Sequence, residues 1–208
     1  MKLAAWGLFV AITLLAFPPF HIRPEESGSG TVGNTQPGPV DIPAFALEFW
    51  ETRLVTPAVS PTDARTLVEA LNRDKAAAAA RYGRHPGLGG PTFYFLAGVG
   101  RVVSVDHSGV WLDVGVASRT RLVMPTGLLF GNALRDATGL LDVGAFSSLE
   151  FNELGTELDR LAETRAQPPL RADVRISSTV TFLAAGQTSD VSGEEPVIKL
   201  IPIHLTVK

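Results

Sequence analysis

The sequence predicts an α+β fold, and three observations carry that prediction. Apolar residues recur at helical spacing up to about residue 83. From Thr92 the period changes to two and five strand-like runs follow. A single helical stripe interrupts those runs between the third and the fourth. A chain of 208 residues holds one ordinary domain, or a small domain with an appendage, and can bury a real core. We divide it into an apolar segment 1–22, a linker 23–43, a helical unit 44–90 and a β domain 91–208 with a helical insert 128–167.

The N-terminal segment comes first. Leu3 to Phe20 carries no charge, and Lys2 with the amino terminus gives it a positive flank, the form of a secretion signal or a single anchor. Eighteen helical residues reach roughly 27 Å, just enough for a bilayer core. No small-x-small cleavage site follows, because Phe17, Pro18 and Pro19 occupy the place for one. An uncleaved anchor helix is therefore favoured over a cleaved signal, and both over a buried core helix. From Arg23 to Pro43 the chain is rich in Gly, Ser, Pro, Thr and Asn, too polar to offset ordering entropy, and reads as a tether.

Phe45, Leu47, Phe49, Trp50 and Leu54 crowd a short helix ending before Pro57. Ser60-Pro61-Thr62-Asp63 predicts a second helix start, with Ser60 as N-cap. Ala64, Leu67, Val68 and Leu71 continue it through the alanine run 76–80 to Gly83.

In the β domain, Thr92 to Asp106 reads as one long strand, with Gly98 and Gly100 marking a bend or bulge. Val110 to Val114 and Arg119 to Met124 follow. Arg171 to Leu183 shows the cleanest alternation, and Val197 to Val207 ends the series, with Pro202 suggesting an edge or bulge. The insert carries Phe151, Leu154, Leu158 and Leu161 on one stripe, stopped by Gln167-Pro168-Pro169. Five strands, a long glycine-bent first strand and a helix between the third and fourth are the plan of an OB-type barrel.

Composition narrows the function classes. There are 18 basic against 21 acidic residues; without Lys2 and Arg23 the remainder is about −5. That balance argues against a general nucleic-acid binder. The absence of cysteine from these 208 residues excludes disulfides, thiolate chemistry, Cys-based zinc sites and a lipobox attachment.

No catalytic or cofactor signature emerges, and we expect no enzyme, cofactor or metal. Ser104, Asp106, His107 and Ser108 share one turn, where turn chemistry explains them better than a triad does. The histidines at 21, 85, 107 and 204 lack metal spacing. The stretch Gly83 to Gly90 neither follows a strand nor opens a helix, so it reads as a loop rather than a phosphate cradle. The polar cluster Asn132, Arg135 and Asp136 lies among Leu128, Leu129, Phe130, Leu134 and Leu140, so its charges approach the core and need partners. It is an ion pair fixing the insert, or a clamp for an anionic or hydroxyl-rich ligand. Trp111 is a candidate surface for stacking a sugar, provided that it is exposed.

Gly131-Asn132-Ala133-Leu134-Arg135-Asp136-Ala137 resembles the G-T-A-L-R-D-A-type motif of the DUF2291 family, predicted periplasmic lipoproteins. Trp50 with Leu54 and Pro57, Arg81-Tyr82-Gly83 and Glu150-Phe151 agree with it, over Ala44 to Lys208. The resemblance implies a small helical unit with an OB-like domain. Through gene neighbourhoods common in that family, it also implies an accessory role beside sugar ABC-importer components. Family members commonly carry a lipobox cysteine, and this sequence has none. The expectation is a non-enzymatic module on the periplasmic side, held to the inner membrane by its N-terminal helix. The alternatives are secretion after cleavage, and a small-ligand or oligosaccharide-binding domain.

Overall fold

The computed structural model describes residues 40–86, 90–189 and 196–208. The anchor expected over 1–22 lies outside them, as does most of the linker 23–43. Among the described residues no helix is long and apolar enough to cross a membrane.

Helix α1 (Ile42–Phe49) starts inside the expected linker, because the Asp41 carboxylate caps it by accepting from Ala44 N at 3.1 Å. It runs on through a π-helical turn, Trp50–Val55. The next helix does not start at Ser60. Thr62–Asp63 (β1) is extended and Asp63 caps α2 (Ala64–Arg73), accepting from Thr66 N at 2.8 Å. Nor does this helix continue to Gly83. Asp74 leaves helical geometry and caps α3 (Lys75–Tyr82) through Ala77 N.

The barrel is built from β2 (Phe93–Asp106), β3 (Gly109–Asp113), β4 (Arg121–Met124), β5 (Thr179–Ser189) and β6 (Val197–Val207). The order is β2-β3-β4-β6-β5, closed by β5 pairing back to β2; β4 and β6 are parallel and the other barrel pairs antiparallel. The first half of β2 pairs with β5 and the second with β3, exchanging partners at Arg101. The bulge falls at Val103, not at the glycines. Gly98 serves close approach instead: a Cβ there would stand 2.9 Å from Ala64 Cβ and 3.2 Å from Phe182 Cζ. The other edge of β2 is covered in two places. Thr62–Asp63 pairs with Leu96–Ala97, and Arg84 exchanges backbone hydrogen bonds with Phe93.

The fourth barrel strand starts later than its alternation predicted. Pro168 and Pro169 open a short helix, α6 (Pro168–Ala172), because proline fits a first helical turn as well as it ends a helix. Arg171 and Ala172 are therefore helical, Ile176 is exposed, and β5 begins at Thr179.

Two cores result. Inside the barrel, Tyr94, Leu96, Val102, Leu112, Met124, Phe182 and Leu200 pack together, with Ala64, Leu67 and Val68 of α2 joining them. On the outer face, Phe93, Phe95, Ala185, Ile201 and Ile203 are covered by α1, by Trp50 and Leu54, and by the insert. Burial on both faces explains the unbroken apolar run Phe93 to Leu96, where alternation could not appear. The segment 44–90 is thus split, α1 going to the outer core and α2 to the barrel.

Candidate functional site

The insert contributes α4 (Ala133–Asp136) and α5 (Ser148–Leu161), which continues as a π-helical turn, Ala162–Ala166. A capping box starts α5: Ser147 Oγ accepts from Glu150 N, and the Glu150 carboxylate accepts from Ser147 N at 2.8 Å. Leu154, Leu158 and Leu161 bury its apolar stripe.

Beside that stripe runs a second one. Asn152, Thr156, Asp159 and Glu163, at helical intervals, face the segment Leu128–Asn132 across a groove of about 470 Å³. Three features fix the facing wall. Glu163 Oε1 accepts from Leu129 N at 2.6 Å, and Lys199 Nζ donates to Phe130 O at 3.4 Å. Gly155 lets Gly131 and Asn132 lie against the helix, since a Cβ there would stand 3.2 Å from Asn132 Oδ1. Leu128 and Phe130 remain 69% and 73% exposed at the rim.

Asp159 is the notable group. It is only 6% exposed, lines the groove, and accepts no hydrogen bond among the described residues. Burial pushes its carboxyl up to about 7; Lys199 opposes the rise and Glu163 adds to it. The sequence reading missed this residue. Its one local signal was the polar period alongside Leu154, Leu158 and Leu161; the opposing wall is a tertiary contact.

The expected cluster divides. Asn132 lines the groove, while Arg135 and Asp136 lie behind it, both buried. Arg135 Nε and Nη2 donate to the two oxygens of Asp136 at 2.8 and 3.0 Å, Nη1 donates to Phe151 O at 3.0 Å, and the guanidinium lies 3.8 Å from the Phe151 ring centroid. This is the geometry of a pair that joins α4 to α5.

Trp111 is elsewhere, half-buried at the rim of a separate hollow of about 290 Å³. Its indole Nε1 donates to Asp106 Oδ2 at 2.7 Å, and Arg121 lies over one ring face, 3.9 Å from the centroid. The Ser108 amide holds the Asp106 carboxyl below the usual range, with Trp111 assisting, so Asp106 belongs to the turn. His85 Nε2 lies 2.9 Å from Thr92 Oγ1, and no group of three or more His, Cys, Asp or Glu that could hold a metal occurs among the described residues.

A family model described as predicted periplasmic lipoprotein (DUF2291) matches residues 10–206. No curated protein matches. Among solved structures, the crystal structure of an OB-fold protein from Thermotoga maritima matches with a TM-score of 0.66 and 21% identity, over 82% of this chain and 99% of that one. At that identity the likeness shows the fold: a closed five-stranded barrel of the OB type.

Proposed function

This chain belongs to the DUF2291 family of predicted periplasmic lipoproteins, and from that premise we propose that it is a non-enzymatic accessory module on the periplasmic side of the inner membrane, tethered by its own N-terminal segment and partnered with components of a carbohydrate ABC importer. The family match begins at residue 10, inside the uncharged run Leu3 to Phe20. With no cysteine in the 208 residues to carry a lipid, that run is the group available to hold the protein to a bilayer.

The observation that carries the partner reading is the insert's surface. Leu128, Phe130, Val143 and Leu149 are all more than half exposed within 22 residues of chain. Exposed apolar side chains that gather in one patch mark contact surfaces, and their closeness along the insert supports that reading.

Membrane fractionation of the full chain tests the tether, and co-purification of permease subunits tests the partner. Retention after an alkaline wash, with Met1 as the observed N-terminus, is the expected result. A mature N-terminus near residue 20 would leave a free periplasmic protein. Failure of every permease subunit to co-purify would remove the importer.

A second reading, small-ligand or oligosaccharide binding on the barrel, is favoured by Trp111 at the rim of its hollow. Quenching or blue-shift of tryptophan emission by an oligosaccharide, lost in Trp111→Phe, supports it. Unchanged emission across a sugar panel removes it.

A further inference from the structure

The groove between Leu128–Asn132 and α5 contains a carboxyl group that forms no contact ion pair among the described residues. Asp159 is more than nine-tenths buried, lines the groove and has no hydrogen-bond partner among the described residues. A carboxyl group so far withdrawn from water ordinarily has a hydrogen-bond partner; here its oxygens keep their remaining contact with water, since no wholly buried side-chain oxygen lacks a partner among the described residues. Lys199 acts on it through space, but no cation forms a contact ion pair with it among the described residues. Glu163, one turn on, adds a second negative charge and has one oxygen committed to Leu129 N. Arg160 Nε is held by Glu157 at 2.8 Å, and Lys199 on β6 donates to Phe130 O. The wall Leu128–Asn132 contains no ionisable residue. The remaining polar lining, Asn132, Asn152 and Thr156, can accept as well as donate hydrogen bonds. At the mouth stand Leu128 and Phe130, exposed and apolar.

A ligand that completes this arrangement brings a positive charge to the depth of the groove and a carbon skeleton to its rim. We propose that the groove is a binding site for a small organic ammonium ion, a primary amine on an aliphatic or aromatic skeleton, with Asp159 as its counterion. Glu163 adds long-range attraction, the amides and hydroxyl take the remaining N–H groups, and Phe130 offers a ring face to the cation or its skeleton. A volume of about 470 Å³ accommodates a molecule of that size with room to spare. This site is separate from the hollow at Trp111; it shares Leu128 and Phe130 with the surface offered to an importer partner, and amine titration tests it independently of co-purification.

Calorimetric titration of the full chain with benzylammonium chloride tests the proposal, with benzyl alcohol as the uncharged analogue and glucose as a polyol. Benzylammonium binds at pH 8, and benzyl alcohol and glucose bind at least tenfold more weakly. Lowering the pH to 5.5 leaves the amine charged but protonates Asp159, so affinity falls about 30-fold. Asp159→Asn, isosteric and without charge, loses the binding at pH 8 and its pH dependence together. Glu163→Gln weakens binding severalfold and moves the pH profile to lower pH without abolishing it, because the Glu163 charge is one of the causes that hold the Asp159 carboxyl up. Equal affinity for amine and alcohol, tighter binding of glucose, unaltered binding by Asp159→Asn, or no heat with any amine would each overturn it.

Discussion

Arg135 and Asp136 are consecutive in the chain, yet they form a two-pronged ion pair in the interior, Nε to Oδ1 at 2.8 Å and Nη2 to Oδ2 at 3.0 Å. Neighbours in sequence rarely share so full a contact, and burial of both makes each depend on the other. Asp136→Ala leaves a guanidinium buried without its counterion and should cost about 3–5 kcal/mol. The double variant Arg135→Met/Asp136→Leu should cost less than Asp136→Ala alone. Urea unfolding of the three proteins decides it; equal midpoints for wild type and Asp136→Ala would show that the pair does not join α4 to α5.

Gly98 and Ala64 make a second sensitive contact. A methyl group at 98 would stand 2.9 Å from Ala64 Cβ, so α2 must move or β2 must bend. Gly98→Ala should destabilise by about 1–3 kcal/mol. Ala64→Gly in the same molecule should restore part of that loss, and a double-mutant cycle measures the coupling.

Gln167 is fully buried, its amide donating to Pro125 O at 2.9 Å and Gly127 O at 3.2 Å while its oxygen accepts from Arg171 Nη2 at 2.6 Å. It holds the chain where it leaves β4 for the insert. Gln167→Ala removes the donor for the buried Pro125 carbonyl and should cost about 2–3 kcal/mol. Denaturant midpoints report the cost. Faster amide exchange in the insert than in β5 would show that the loss is local to this joint.

Asp159 makes stability depend on pH in a direction opposite to most carboxylates. Its folded pKa, about 7, lies above the ordinary aspartate value of 3.8, so between those values the folded protein binds the proton that the unfolded chain has released. Stability contributed by the protonated group is full below about pH 4 and is lost as pH rises towards 7. Asp159→Asn should therefore match wild type near pH 4 and exceed it at pH 8, by on the order of 1–3 kcal/mol. Thermal unfolding of both proteins across this range checks the sign; a variant less stable than wild type at pH 8 would show that Asp159 is internally paired.

The architecture was legible because five strands and the insert helix each carry a local signal. Val197–Val207 is found at its expected bounds, and Leu154, Leu158 and Leu161 bury as their spacing requires. The misreadings share one physical cause: local signals with two structural meanings. Pro168-Pro169 can stop a helix or start one, and here it starts α6. Ser60-Pro61 looks like a cap, but Thr62–Asp63 is drawn into a pairing with Leu96–Ala97, 34 residues away. Arg135 and Asp136 stood out as charges among apolar neighbours. Asp159 did not, because Asp among Glu157, Arg160 and Glu163 looks like a solvated helix face until the segment Leu128–Asn132 covers it.

The two short pieces that border β2 have a bearing on how the protein can fail. Phe93 to Leu96 is an aromatic, uncharged stretch of the kind that recruits foreign strands when its backbone is open. Arg84 and Thr62–Asp63 occupy that side of it, and they stand at either end of the α2–α3 pair. A substitution that merely loosens those helices would uncover adhesive backbone while most of the barrel stayed intact. The lesion would then appear as self-association of nearly native molecules, before any loss of β structure.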